Sequence, residues 1–432
     1  MSKVVKFGGS SLANAEQFQK VGDIIRSDAE RRYVVPSAPG KRFKEDTKVT
    51  DMLYACYDIA EAGKDFEKAL AAIEDRYEEI IAGLGLDLNL DEEFTVIRNQ
   101  FEEKAGSNYA ASRGEYLNGI ILAAYLGFEF IDAADVVCFD AEGGFDQDKT
   151  NMLLSARLAE CEYAVIPDGS VKTFSRGGSD ITGSIVAKAA QADVYENWTD
   201  VSGFLVADPG IIKNPRRIDV ITYRELRELS YMGAGVLHED SIFPVRQENI
   251  PINIRNTNAP DDNGTWIVGS TCQKSKYVIT GIAGKKGFCC VNIEKAKMNS
   301  EVGFGRKVLE AFEENGISFE HIPSGIDTLT VFVHQDEFMH KEQKVAACLY
   351  RVAKPDAIEI EADLALIAVV GRGMKATRGT AGRIFSALAH ANVNVKMIDQ
   401  GSSELNIIIG VANDDFETAI KAIYDIFVLT NI

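Results

Sequence analysis

Near the start of the chain a lysine precedes two glycines and two serines, in Lys6-Phe7-Gly8-Gly9-Ser10-Ser11. Glycines let backbone N–H groups approach an anion closely, and a lysine at a strand end adds a compact positive charge. Between a strand and a helix, that combination makes a phosphate cradle. A tight strand-to-helix turn uses the same glycines without any ligand, so this run alone does not decide between the two. A second glycine-rich turn, Phe174-Ser175-Arg176-Gly177-Gly178-Ser179-Asp180, opens another helix, Ile181 to Ala192. The planar fork of Arg176 suits a carboxylate or phosphate bidentately, and Asp180 either caps the helix or holds neighbouring cations. Ligands of open α/β sheets bind outside the carboxyl ends of the strands, so two such turns converge on one crevice. A third stretch, Asn197-Trp198-Thr199-Asp200-Val201-Ser202-Gly203-Phe204 through Asp208-Pro209, ends a strand in aromatic and polar residues. It suits an aromatic base and a sugar, or Trp198 is simply core. Glu115 is placed at the start of a helix running to Leu126, where a carboxylate favours the first turn or receives an ammonium group.

These turns need elements to hold them. From Met1 to about Thr265, short apolar runs alternate with stretches of helical period, the pattern of a largely parallel sheet flanked by helices. Val4 to Phe7, Tyr33 to Val35, Phe128 to Ile131, Val136 to Phe139, Ala164 to Ile166 and Val194 to Trp198 are the expected strands, and Leu12 to Ile25 an amphipathic helix. Asp58 to Ala105 is acidic and helical, an insertion beside the sheet. Breakers at Pro260-Asp261-Asp262-Asn263-Gly264 mark the boundary, giving a first domain of 1–265 and a second region of 266–432.

That second region repeats itself. A shift of 76 residues carries Gly303 onto Gly379, Val308 onto Ile384, Phe312 onto Leu388, Ile317 onto Val393, Ile322 onto Ile398, Gly325 onto Gly401 and Leu329 onto Leu405 without a gap. Each copy reads as a ferredoxin-like βαββαβ unit rather than a solenoid repeat. Such sheets leave edges that pair, so a homodimer or tetramer is expected.

Composition removes several classes. The 432 residues carry a formal net charge of −19, which disfavours nucleic acid and anionic membranes as partners. Seven scattered cysteines form no C-x-x-C and five histidines no H-E-x-x-H, so neither a disulfide framework nor a protein-held metal is expected. His238-Glu239-Asp240 reads as a loop. Neither G-x-x-x-x-G-K-[ST] nor a dinucleotide G-x-G-x-x-G is present. No apolar run reaches the roughly 18–20 residues of a membrane span, and the first residues resemble no signal peptide, so a cytoplasmic protein is expected.

Taken in order, Lys6 to Ser11, Ser37-Ala38-Pro39-Gly40-Lys41, Arg113-Gly114-Glu115, Arg176 to Asp180, Trp198 to Val201 and Val236-Leu237-His238 resemble the motifs of aspartate kinases, and the tandem repeat resembles their paired ACT domains. The Ala38 to Lys41 loop and His321 to Asp327 are most similar to the short monofunctional form of Gram-positive bacteria. The resemblance spans nearly the whole chain. It implies an amino acid kinase-like catalytic domain followed by ACT domains at about 284–362 and 363–432, the latter completed by 277–283. It implies phosphorylation of the aspartate side-chain carboxylate by ATP with Mg2+, the first step of lysine, threonine and methionine synthesis. By motif, Lys6, Asp180 and Arg176 would be catalytic. Ser37, Thr50, Glu115, Arg176 and Ser179 would bind substrate, and Lys6, Gly8, Gly9, Ser10, Thr199, Asp200, Phe204 and Asp208 the nucleotide. Gly235 and Gly210 stand where the family usually has a lysine and an arginine, with Lys213 a nearby replacement. An amino acid effector, lysine alone or with threonine, would bind near Met298, Gly303, Phe304, Ser324 and Asp327, although Met298 and Phe304 taken alone read as core. Another small carboxylate or nucleoside monophosphate kinase of the same superfamily, or a catalytically weak amino acid sensor, is the alternative.

Overall fold

The structure is a computed structural model that describes residues 2–168, 178–234, 237, 239–271 and 275–429. The chain divides into two compact units, one within 1–204, 219–223 and 236–271, the other within 205–218, 224–235 and 272–432. The single cut near 265 therefore differs from the observed division, in which two short segments before the breakers return to the second unit.

The first unit holds β1 (Lys3–Phe7), β2 (Arg31–Pro36), β3 (Glu129–Phe130), β4 (Ala164–Val165), β5 (Val194–Thr199), β6 (Val220–Thr222), β7 (Ile252–Asn256) and β8 (Thr265–Val268). They form one sheet in the order β3-β4-β2-β1-β5-β7-β8-β6, parallel except between β7 and β8. In β1, Val4, Val5 and Phe7 are fully buried, as expected of a central parallel strand covered on both faces. Its helices are α1 (Ala15–Arg26), α2 (Val49–Glu61), α3 (Glu67–Leu84), α4 (Asp91–Glu102), α5 (Ser107–Leu126), α6 (Ala133–Val136), α7 (Gln147–Leu158), α8 (Gly178–Ala189) and α10 (Phe243–Gln247), while α9 (Tyr223–Tyr231) belongs mostly to the second unit. Helices α2 to α5 share one apolar core, built on Leu53, Leu70, Ile73, Phe94, Phe101 and Leu117.

Three local expectations are corrected. Val136 to Phe139 is not a strand: Asp132 accepts the Ala134 N–H at 2.9 Å and caps the short helix α6, leaving a lone bridge from Phe139 to Phe145. The helix expected from Leu12 to Ile25 is broken at Asn14, whose side chain accepts the Gln17 N–H and starts α1 afresh. Helix α5 begins at Ser107, so Glu115 lies in its interior, away from the terminal N–H groups that favour a carboxylate.

The second unit holds β9 (Gly281–Glu294), β10 (Phe319–His321), β11 (Thr328–His334), β12 (Ala357–Val370), β13 (Met397–Asp399) and β14 (Asn406–Ala412) in one antiparallel sheet, ordered β10-β11-β9-β12-β14-β13. Helices α11 (Phe304–Glu313), α12 (Gln335–Met339), α13 (Glu342–Val352), α14 (Thr380–His390) and α15 (Phe416–Tyr424) pack with it. The repeat is visible in atomic detail. Gly303 and Gly379 precede α11 and α14 with φ of 82° and 81°, and Val308/Ile384 and Phe312/Leu388 are buried at matching positions. The two 14-residue strands β9 and β12 run through both copies: β11 pairs with residues 288–294 of β9, and β14 with residues 364–370 of β12.

Candidate active site

Register assembles the site. Phe7 lies opposite Pro36 of β2 and Trp198 of β5, so the residues that follow each strand, Gly8, Ser37 and Thr199, emerge side by side. The Gly8 N–H donates to the Trp198 carbonyl at 2.9 Å, and the Ser37 N–H to the Phe7 carbonyl at 3.0 Å. Gly9 and Gly40 then cross backbone to backbone. A Cβ on Gly9 would lie 2.8 Å from the Ala38 oxygen, and one on Gly40 2.6 Å from Gly9, so no larger residue fits either position.

Lys6, one residue before the strand end, reaches Asp180 in the first turn of α8: Nζ to Oδ1 is 2.7 Å, and the Asn197 Nδ2 donates to the same oxygen at 2.8 Å. The Ser37 and Ser179 hydroxyls are 2.6 Å apart, and Asn118 of α5 donates to the Ser37 carbonyl at 2.6 Å. Glu115 faces the same place. Burial pushes its carboxyl well above the usual range, Asp168 adds to that, Lys6 opposes it, Asp180 raises it further, and the Ala38 amide lowers it by hydrogen bonding. Asp168, 2% exposed, lies three residues after β4 and would meet a Cβ on Gly178. Among the described residues, Lys6 is a buried cation set among the carboxylates of Asp180, Glu115 and Asp168.

An open cleft of about 570 Å³ is lined by Ser37 and Glu115 of these groups and by Gly8, Gly9, Ser10, Thr50, Thr199 and Asp200, together with Lys41, Phe43, Lys44 and Lys48. Eight of the residues singled out by sequence thus share one cavity, and Ser179 bonds to its lining through Ser37. Others do not. Trp198 is core, 1% exposed, stacked on Phe7 and flanked by Arg31 and Arg255. Phe204 is 2% exposed, its N–H donating to Thr265 Oγ1, so its ring offers no surface to a nucleotide. Asp208 accepts the Gly210 N–H at 2.7 Å, and both it and the exposed Lys213 belong to the second unit. Arg176, Gly235, Val236 and His238 lie outside the described residues. In the second unit, Met298 and Phe304 are buried in the core beside α11, whereas Ser324 and Asp327 are exposed and Asp327 Oδ1 accepts the Lys297 N–H at 2.7 Å.

Sequence reasoning missed Asp168, Lys44 and Lys48, and took Asn197 only as the start of a polar strand end, without a role of its own. Asp168 had a signal, since Pro167-Asp168 follows the carboxyl end of a parallel strand; Asn197 had none, because only strand register turns it toward α8. Among the described residues no group of three or more His, Cys, Asp or Glu side chains is arranged to hold a metal ion, and no helix is long and apolar enough to cross a membrane.

Comparison with known proteins agrees with this geometry. Residues 1–256 match the amino acid kinase family, and residues 367–427 match the ACT domain. The chain is 39% identical to aspartokinase 3 of Bacillus subtilis, covering 98% of both chains. It superposes on the crystal structure of Clostridium acetobutylicum aspartate kinase with a TM-score of 0.89 at 51% identity, covering 99% of each. Escherichia coli aspartokinase III, solved with aspartate and ADP, shares the fold at 24% identity with a TM-score of 0.74 and 99% coverage of each chain; it has also been solved with lysine and aspartate.

Proposed function

The chain belongs to the aspartokinase family, and on that premise we propose that its first unit transfers the γ-phosphoryl group of ATP to the side-chain carboxylate of L-aspartate. A carboxylate oxygen bonds to phosphorus as the bond to the ADP oxygen breaks, yielding ADP and 4-phospho-L-aspartate. The carboxylate is already a nucleophile, so catalysis is positioning and charge stabilisation. The observation that carries the reading is the Lys6–Asp180–Asn197 cluster near the strand ends, with Glu115, which lines the cleft, close enough to interact with both Lys6 and Asp180.

Lys6 is the cation for the transferring phosphoryl group, and the amides of Gly8 and Gly9 flank it. Asp180, now bonded to Lys6, fixes that ammonium until the phosphate competes for it. Glu115 receives the ammonium of aspartate: an arriving cation offsets the burial and the two carboxylates that make it harder to ionise. Arg176 takes the α-carboxylate by motif, with Ser37, Ser179 and Thr50 as polar contacts. Mg2+ would arrive with the nucleotide, since such sites hold it through phosphates and one or two carboxylates rather than a protein cage; Asp180 would be its carboxylate, and the ion would supply charge neutralisation.

The product would open lysine, threonine and methionine synthesis in the cytoplasm. Lysine, bound where Ser324, Asp327 and the backbone before α11 meet, would inhibit, with the chain a homodimer or larger through its ACT domains. Hydroxamate trapping of the acyl phosphate tests the activity. Aspartyl hydroxamate formed only with ATP supports it; glutamyl hydroxamate, or no product, assigns the chain to another carboxylate kinase or to a sensor.

A further inference from the structure

The loop between β2 and α2 places Lys41, Arg42, Lys44 and Lys48 within eight residues, on a chain of net charge −19. Lys41, Lys44 and Lys48 line the cleft. Among the described residues none of the three forms an ion pair; Lys41 Nζ reaches only the Lys44 carbonyl, at 3.5 Å. Arg42 is used differently. Its backbone N–H and Nε both donate to Asp46 Oδ2 at 2.9 Å, and its Nη1 to Glu79 at 2.9 Å. Asp46 Oδ2 also receives Arg76 Nη1 at 2.8 Å, while Arg76 Nη2 donates to the carbonyls of Ala13 and Gly40 at 3.0 and 2.8 Å. Hydrogen bonds from Arg42, then Arg76, hold the Asp46 carboxyl far below the usual carboxylate range against its burial.

Arg76 is 3% exposed, so its fork is withdrawn from water and bonded to three separate points: the loop, the Gly40 turn, and the exit of the glycine turn at Ala13. One arginine pair anchors the loop and three lysines are left uncommitted, facing the cleft. We infer that this loop is a cationic rim that captures the anionic substrates, ATP and aspartate, and that Arg76 is the positioning residue that holds it. The inference rests on the kinase reading of the cleft. Glu45 on the loop, Asp200 across the cleft and Glu115 within it are the opposing charges, so three lysines restore a positive mouth to a negative interior. Clefts lined by one sign of charge raise association rates by roughly 10- to 1,000-fold, and salt screens the effect within about 8 Å at 0.15 M.

Calorimetric titration of ATP at 0.02 M and 0.5 M salt tests this on the full chain. Lys41→Gln/Lys44→Gln/Lys48→Gln is compared with Lys64→Gln/Lys68→Gln/Lys104→Gln, an equal charge change on exposed lysines outside the cleft lining. The rim variant is expected to bind about tenfold more weakly than wild type at low salt and within about twofold at high salt, with the control tracking wild type. In turnover the loss falls on kcat/KM rather than kcat. A rim variant matching wild type at both salts, or a control weakened as much, overturns the inference. Arg76→Lys keeps the charge and loses the fork. It should flatten the salt dependence as the rim variant does, whereas a lowered Tm with wild-type salt dependence refutes the positioning role. A chain that binds ATP with this salt dependence and yet phosphorylates no aspartate removes the kinase reading and leaves the rim standing.

Discussion

Glu115, buried close enough to Lys6 for the two to interact, gives the sharpest prediction at the scale of the residue. Its raised carboxyl is harder to ionise in the fold than in the unfolded chain. Stability is therefore complete below the ordinary glutamate range and declines as pH rises toward the raised value. Glu115→Gln removes that decline: the variant should melt above wild type at pH 8, and the two should converge near pH 4. The same substitution removes a charged contact to the aspartate ammonium, worth about 1.5–3 kcal/mol, so KM for aspartate should rise roughly 10- to 100-fold. Its pH dependence should also flatten, because wild type binds aspartate better as Glu115 ionises. A melting curve unchanged at pH 8, with unchanged KM, contradicts this placement. Lys6 and Asp180 were singled out by residue type within glycine turns, which decides nothing when a turn is taken alone, whereas the binding roles of Ser37 and Ser179 came only through the family motif. Asp168 carried a signal that was passed over, its place after a parallel strand, whereas the bond of Asn197 to Asp180 depends on strand register and has no mark in the sequence.

Elements were legible where pattern and packing demand the same thing. The buried strands β1 and β2 read as short apolar runs, and the 76-residue shift found a repeat whose glycines adopt one left-handed conformation. Val136 to Phe139 misled because strand-forming residues are outweighed by the Asp132 cap. At Gly303 and Gly379 nothing lies within 4 Å of an added Cβ, so alanine there meets only backbone strain. Gly303→Ala and Gly379→Ala should each destabilise the second unit by about 1–2 kcal/mol and by similar amounts. Ile384→Ala, in the core, should cost about 2–5 kcal/mol. Urea unfolding followed by circular dichroism checks both, and a clear inequality between the two glycines would break the equivalence of the copies.

At the scale of the whole molecule, the first unit returns to the chain after excursions at 205–218 and 224–235. Composition could not show this, since breakers mark where a chain turns and not which core it joins. Inhibition by lysine would be a coupling free energy, and coupling is reciprocal. If lysine weakens aspartate binding by a factor within the usual range of about 5- to 150-fold, aspartate must weaken lysine binding by the same factor. Paired equilibrium titrations measure both, and lysine binding that leaves aspartate affinity unchanged excludes the effector reading. The most direct measurement is ATP-dependent aspartyl hydroxamate formation by wild type and Lys6→Met, with folding checked by circular dichroism. Wild type should form the product, and the variant, folded, should lose roughly 100- to 1,000-fold in kcat, as expected when one preorganised charge-stabilising group is removed. A folded Lys6→Met protein turning over at the wild-type rate would place phosphoryl transfer elsewhere.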